Sequence, residues 1–117
     1  MNKIYDIYLI NKESRKNDVS FKTEFERNLF LNKKANKIYD YEKDEKIVLL
    51  DSFTDNEGNK ISKVEINVDF VIYHHGKTEI IKIFNSNTNT VLNLKWKFLK
   101  KKFAESCYIL TKIELYD

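Results

Sequence analysis

A chain of 117 residues can bury one hydrophobic core but is too short for two domains of ordinary size, so we expect a single domain over residues 1–117. Its formal charge of +3 permits affinity for nucleic acid but excludes a histone-like polycation. The single cysteine excludes an internal disulfide, and no apolar run has membrane-spanning length. We therefore expect a cytoplasmic protein without membrane contacts.

The N-terminal part of the chain predicts a strand followed by a helix. Residues 1–20 form an extension, with a strand at 4–10 (IYDIYLI) and then a polar loop. Thr23 and Glu26 form a T-x-x-E capping box, which predicts a helix start near residue 23. Asn36 is the predicted end of this helix.

The middle of the chain predicts three extended segments. The first spans 38–53, and a turn at 54–60 (TDNEGNK) follows it, because Asn, Asp and Gly tolerate left-handed backbone angles. A long strand at 61–73 alternates apolar and polar residues. The tetrapeptide HHGK then turns the chain into a strand at 78–84.

The C-terminal part predicts a polar loop at 85–90 with a threonine cap, a helix at 91–105 and a strand at 108–116. The helix carries one apolar stripe, which we expect to face the core: Leu92, Trp96, Leu99 and Phe103. The order strand, helix, three strands, helix, strand predicts an α/β (α+β) fold with a central mixed sheet flanked by two helices.

Two charged residues stand among apolar neighbours in the strands around the HHGK turn. Asp69 alternates with the apolar residues of its strand, and Lys82 lies between Ile81 and Ile83. Burying a lysine is costly unless a partner neutralises it, and Asp69 across the hairpin is the obvious candidate. From the residues alone, a structural ion pair or two solvent-facing side chains remain alternatives to a functional site.

Four segments in order resemble the small phage endonucleases of the PD-(D/E)XK superfamily, which are relatives of Holliday-junction resolvases. FKTEFERNLF resembles their opening helix, F-x-S-x-x-E, and KIYDYEKDEKIVLL resembles the segment that enters their sheet. VDFVIYHHGKTEIIKIF resembles the A-D-F…E-D-V-K-G block, and LNLKWKFLKKKF the L-K-x-K helix. The resemblance covers about residues 21 to 115 and implies a PD-(D/E)XK nuclease-like core.

In active members of such a family, two strand carboxylates hold Mg²⁺ and a lysine assists the attacking water. The resemblance makes Asp69 the first metal ligand, Lys82 the lysine and Glu26 the helix acid. The second ligand position, two residues before the lysine, is Ile80. Glu79 is adjacent but belongs to the opposite face of its strand, and only a β-bulge would turn it inward.

Because isoleucine offers no oxygen, we expect a catalytically degenerate nuclease fold without a cofactor, with Mg²⁺ held at Asp69 only if the protein is active. The main hypothesis is a phage-type inhibitor of a host defence complex, of the anti-CRISPR kind. Its partner-binding surface would be an acidic patch that could meet a positively charged nucleic-acid channel: Asp40, Glu42, Asp44 and Glu45.

Two alternatives remain open. One is an active Mg²⁺-dependent, structure-selective DNA endonuclease, for which the resemblance implies a homodimer. The other is a DNA-binding accessory protein of phage replication or recombination. Its contact surface would be a dense lysine cluster in the last helix: Lys95, Lys97, Lys100, Lys101 and Lys102. The alternative, non-functional interpretation is that these lysines form the solvent-exposed side of an amphipathic helix.

The remaining polar candidates are weaker. His74 and His75 sit at the hairpin turn, where adjacent side chains point apart, so we expect exposed turn residues without joint chelation. We expect Cys107 to be a small buried apolar residue.

Overall fold

The protein, described by a computed structural model over residues 18–85 and 89–115, is an α+β fold with a mixed four-stranded sheet. Its elements, numbered in chain order, are α1 (Asp18–Lys34), β1 (Asp40–Leu50), β2 (Phe53–Thr54), β3 (Lys60–Ile61), β4 (Val64–His74), β5 (Lys77–Phe84), α2 (Thr90–Lys102) and β6 (Ile109–Glu114). The strand predicted at 4–10 lies outside the described residues.

The main sheet has the strand order β1-β4-β5-β6. β1 pairs with β4 and β4 with β5 in antiparallel register, whereas β5 and β6 run parallel. A parallel pair needs a crossover connection, and α2 supplies it. The predicted mixed sheet with two helices is therefore confirmed, and a separate short hairpin of β2 and β3 extends the β1–β4 connection.

The two helices cover opposite faces of the sheet. α1 buries Phe21, Phe25 and Leu29, spaced four residues apart, in a cluster that includes Ile81. α2 buries Trp96 and Leu99 in a second cluster, which includes Ile80. Because adjacent residues of a strand point to opposite faces, the separation of Ile80 from Ile81 fixes one helix on each side.

The sequence predicted the apolar stripe of α2 correctly but part of α1 incorrectly. All four predicted stripe residues belong to the second cluster: Leu92, Trp96, Leu99 and Phe103. In α1 the residues from Asp18 onward are already helical, so the predicted helix start near residue 23 was wrong. The Thr23 hydroxyl donates to the Val19 carbonyl within the helix instead of capping it. Asn36, with a positive φ of 60°, does follow the helix end.

Two further predictions concern turns. The 54–60 turn is confirmed: Asp55 accepts backbone N–H groups from Glu57 and Asn59, and Gly58 has a φ of 84°. The predicted threonine cap of α2 was wrong by one residue, since Asn89 accepts from the Leu92 N–H and Thr90 is already helical.

The alternation of side chains between the two faces of the sheet is interrupted at Asp44 in β1 and at Asp69 in β4. In β4, Val68 belongs to the α2-side cluster and Phe70 to the α1-side cluster, although residues two apart normally share a face. The β1–β4 pairing passes over Asp44 and Asp69, and Asp44 has a φ of 55°. This interruption of the β1–β4 pairing places both aspartates at one irregular point of the sheet.

Neither described helix is both long and apolar enough to cross a lipid bilayer.

Candidate functional site

The Asp69 carboxylate lies where β4 and β5 separate. Their ladder ends at the pair of Phe70 with Ile81, so Asp69 has no backbone partner on β5. Its Oδ2 instead accepts a hydrogen bond from the backbone N–H of Ile83 at 2.6 Å. A side-chain oxygen thus accepts the hydrogen bond of a β5 N–H that has no backbone acceptor where β4 diverges from β5.

Lys22 of α1 binds the other oxygen of this carboxylate. Its Nζ lies 3.0 Å from Oδ1 of Asp69 and 3.1 Å from Oδ1 of Asp44. Lys82 of β5 completes a Lys–Asp network of four residues, with its Nζ 3.6 Å from Oδ2 of Asp69. The Asp69 and Lys82 side chains are only 11% and 14% exposed, so their charges act in a largely desolvated environment.

The pKa of Lys22 shows the balance of forces in this network. Burial alone favours the neutral amine, but the hydrogen bonds and negative charges of Asp69 and Asp44 outweigh it and raise the pKa above its ordinary value. Lys22 is therefore a fixed cation held between two carboxylates. The sequence patterns did not single out Lys22, although it lies one helical turn before Glu26 and shares its face.

The expected nuclease residues are only partly brought together. Asp69 and Lys82 are in contact, as the ion-pair interpretation predicts. Glu26 instead pairs with Lys43 of β1, at 3.0 Å, and this contact raises the pKa of Lys43. Ile80, at the expected second-ligand position, is buried in the α2-side cluster.

Glu79 belongs to a different buried group. One carboxylate oxygen lies 2.8 Å from Nε2 of His74, and the other accepts a hydrogen bond from the Thr111 hydroxyl. Glu79 follows the regular alternation of β5 on the α1 side, so no bulge turns it toward Lys82. The expectation that His74 is exposed was wrong, because its side chain is 7% exposed and paired with Glu79.

The residues around Asp69, where β4 and β5 separate, do not fit a magnesium site. Both Asp69 oxygens are engaged by nitrogen donors, and Ile80 supplies no oxygen. Within residues 18–85 and 89–115, no group of three or more His, Cys, Asp or Glu side chains is arranged to hold a metal ion. A cation of the protein's own, the Lys22 ammonium, lies against the carboxylate that would have to bind the metal.

A basic cavity of about 320 Å³ lies beside the Lys–Asp network. We call it the lysine cavity; its lining residues are Lys46, Glu65, Ile66, Asn67, Lys82, Leu92 and Lys95. They come from four elements: β1, β4, β5 and the beginning of α2. Three lysines face one acid, and that acid, Glu65, lies 3.7 Å from Lys63 outside the cavity. The local potential is therefore positive.

The predicted lysine cluster divides in two. Lys95 is half-buried and lines the lysine cavity, whereas Lys97, Lys100, Lys101 and Lys102 are exposed on α2. Lys46, on β1, is a cavity residue outside the lysine cluster predicted from the sequence. It lies far from the α2 cluster along the chain, and only the sheet brings the two together.

The predicted acidic patch lies on the edge strand β1, but most of it is already paired. Asp40 contacts Lys33, which together with the Tyr41 N–H lowers the pKa of Asp40. Glu42 accepts from the Tyr73 hydroxyl at 2.6 Å, and Asp44 contacts Lys22. Cys107 was also misplaced by prediction, since it is exposed.

The fold and this site define an α+β protein with a partly buried Lys–Asp network at the point where β4 and β5 separate, and with a basic cavity next to it. The chain matches, over residues 3–116, a family described as "Protein of unknown function (DUF1064)", and it belongs to that family. No curated protein and no solved structure matches it.

Proposed function

We propose that this protein binds nucleic acid through phosphate contacts in the lysine cavity and does not hydrolyse it. The observation that carries the proposal is the convergence of Lys46, Lys82 and Lys95 on one concave site against a single acid. Lysine ammonium groups that neutralise backbone phosphates release counterions, which is the main source of sequence-independent affinity for nucleic acid.

The state of Asp69 supports binding over cleavage. A nuclease of the PD-(D/E)XK type needs carboxylate oxygens free to hold Mg²⁺. Here Lys22 and the Ile83 N–H engage Asp69, and a leucine-sized apolar side chain, Ile80, replaces the second carboxylate. We propose that the chain keeps a nuclease-like scaffold in which Lys82 still contacts phosphate. Asp69, the residue that would hold the metal, instead forms a structural ion pair with Lys22.

The start of α2 adds to the attraction of the cavity for an anion. Leu92 and Lys95 belong to the first turns of the helix, whose N-terminal end carries a partial positive charge. No acidic residue lies in the first turn of α2 to offset that charge. A phosphate in the cavity would thus meet three ammonium groups and the helix end together.

The test uses fluorescently labelled linear and four-way-junction DNA of the same sequence, with and without Mg²⁺. We expect anisotropy to rise with protein concentration and the labelled strands to stay intact on a denaturing gel in Mg²⁺. The double substitution Lys46→Gln and Lys95→Gln should weaken binding about tenfold or more. Lys60→Gln, on β3 outside the cavity, is the matched control and should change little.

Strand cleavage that requires Mg²⁺ and is lost in Asp69→Asn would overturn the non-hydrolytic part of the proposal. Equal affinities of the cavity variant and the wild type would overturn the binding site.

A second candidate is the inhibitor of a host defence complex, acting through protein contacts. The observation that favours it is the position of Glu42, Asp44 and Glu45 on β1, the edge strand of the sheet. It stands second because Asp44 is held by Lys22 and Glu42 by Tyr73, so a basic partner would have to compete with both. Its test is a purified defence complex whose nuclease activity the protein should suppress, with suppression lost in Glu42→Lys/Glu45→Lys.

A further inference from the structure

The outer side of α2 exposes an apolar row that belongs to neither hydrophobic cluster of the described residues. Val91, Leu94 and Phe98 are 59%, 52% and 53% exposed, while the opposite side of the helix carries the buried Trp96 and Leu99. These three exposed residues are spaced three and four apart, so they form one continuous row along the helix surface. An exposed row of large apolar side chains on a packed helix indicates an interaction surface.

The spacing of this row is that of a helix–helix seam. With Val91 at position a of a heptad, Leu94 falls at d and Phe98 at the next a, and the apolar part of the seam ends there because the following d position is Lys101. Lysines then occupy the positions that flank such a seam: Lys95 and Lys102 at e, and Lys97 at g. In paired helices the e and g residues select the partner by charge, so this seam requires acids on the facing helix.

We propose that this face of α2 docks an acidic amphipathic helix of a partner protein. Leucine-type side chains of that helix would pack on Val91, Leu94 and Phe98, and its flanking glutamates or aspartates would pair with the three lysines. The seam from Val91 to Lys102 is roughly 16 Å long at about 1.5 Å per residue, which corresponds to about one and a half heptads of the partner. The two proposals share Lys95, which lines the lysine cavity and flanks this row, but the apolar residues Val91, Leu94 and Phe98 are not part of the cavity lining.

Charge decides against the other occupants of the face. A second copy of this chain would bring the same lysines against one another, and the α2 sequence TVLNLKWKFLKKK contains no acid to relieve the repulsion. A nucleic acid would satisfy the lysines, but its phosphates would lie against the apolar row between them. An acidic helix satisfies both parts of the surface, and its partly exposed ion pairs would add selectivity more than affinity.

The experiment is a titration of the ¹⁵N-labelled full chain with a synthetic helix of about three heptads, with Leu at a and d and Glu at e and g. A peptide of the same apolar pattern with Lys at e and g is the matched probe. We expect amide shifts centred on Leu94 and Phe98 with the acidic peptide, and affinity at least about tenfold weaker for the basic one.

The variant Leu94→Gln/Phe98→Gln should lose about tenfold or more of the acidic-peptide affinity and keep its fold, because both side chains are exposed. Phe30→Gln, an equally exposed phenylalanine on α1, is the control and should bind as the wild type does.

Equal binding of the two peptides, or unchanged binding by the double variant, would overturn the proposal. Two other outcomes overturn it in favour of a different occupant. One is a dimer in sedimentation that Leu94→Gln/Phe98→Gln abolishes. The other is a loss of oligonucleotide affinity in that variant as large as in Lys46→Gln/Lys95→Gln.

Discussion

The Asp69 carboxylate combines a strand role with an electrostatic role in one residue. Its Oδ2 accepts the Ile83 N–H, and its Oδ1 contacts the Lys22 ammonium. A carboxylate that is 11% exposed is costly to desolvate unless such partners compensate it. Removing Asp69 would leave the Ile83 N–H without this hydrogen-bond acceptor, and Lys22 and Lys82 without the carboxylate that they share.

Asp69→Ala is therefore expected to destabilise the protein by about 2–4 kcal/mol, since it breaks a buried pair and a buried hydrogen bond together. Urea denaturation followed by circular dichroism measures this. The matched control is Glu26→Ala, whose partner Lys43 is half exposed and whose loss should cost less than about 1 kcal/mol. Similar losses for the two variants would contradict the role assigned to Asp69.

Tyr73 is a second residue with a measurable electrostatic signature. Its hydroxyl donates to Glu42, and this bond, with burial and the nearby negative charges, raises the pKa of Tyr73 from 10.0 to about 12. The folded chain therefore holds this proton more tightly than the unfolded chain. The resulting stabilisation is complete below pH 10 and is lost as the pH rises toward 12.

We expect an ultraviolet titration, taken as the difference between the wild type and Tyr73→Phe, to place this ionisation near pH 12. Glu42→Gln should move it back toward 10, since the charge of the acceptor disappears. A Tyr73 titration near 10 in the wild type would show that the hydrogen bond to Glu42 does not form in solution.

At the scale of elements, the sequence predicted what depends on local periodicity. The stripe of Leu92, Trp96 and Leu99 identified α2 and its core side, and the 54–60 turn followed from its residue types. The site required more than periodicity. Lys22, Asp44 and Asp69 meet because two strands twist together and a helix lies across them.

The errors have physical causes of the same kind. The alternation of apolar residues from Val64 to Ile72 is unbroken in the sequence, so it hides the change of face at Asp69. Thr23 looked like a helix cap because a threonine hydroxyl can bond either a free N–H or the preceding helical turn. His74 looked exposed because its partner Glu79 becomes a neighbour only once the hairpin pairs.

The cap of α2 gives a prediction at this scale. Asn89 accepts the Leu92 N–H at 2.9 Å, and this helix holds both the cavity residue Lys95 and the exposed apolar row. Asn89→Ala should lower the free energy of unfolding by about 1 kcal/mol, whereas Asn89→Asp should retain the cap. Thermal denaturation of the two variants checks this. Equal stability of Asn89→Ala and the wild type would show that the cap is not formed.

At the scale of the whole molecule, the charges are divided between two surfaces that differ in shape. The lysine cavity is concave and joins β1, β4, β5 and α2, while the outer side of α2 is a convex row of apolar residues between lysines. A polyanion fits the first and an amphipathic helix the second. The net charge of +3 alone would not distinguish these partners.

The central claim is that Lys46 and Lys95, together with Lys82, contact phosphates in one cavity. The salt dependence of duplex DNA affinity tests it most directly, because the slope of log K against log[salt] counts phosphate contacts at about 0.9 each. Lys46→Gln/Lys95→Gln should reduce that slope by about 2 relative to the wild type, and Lys60→Gln should leave it unchanged. A slope that is the same in the wild type and the double variant would contradict the claim.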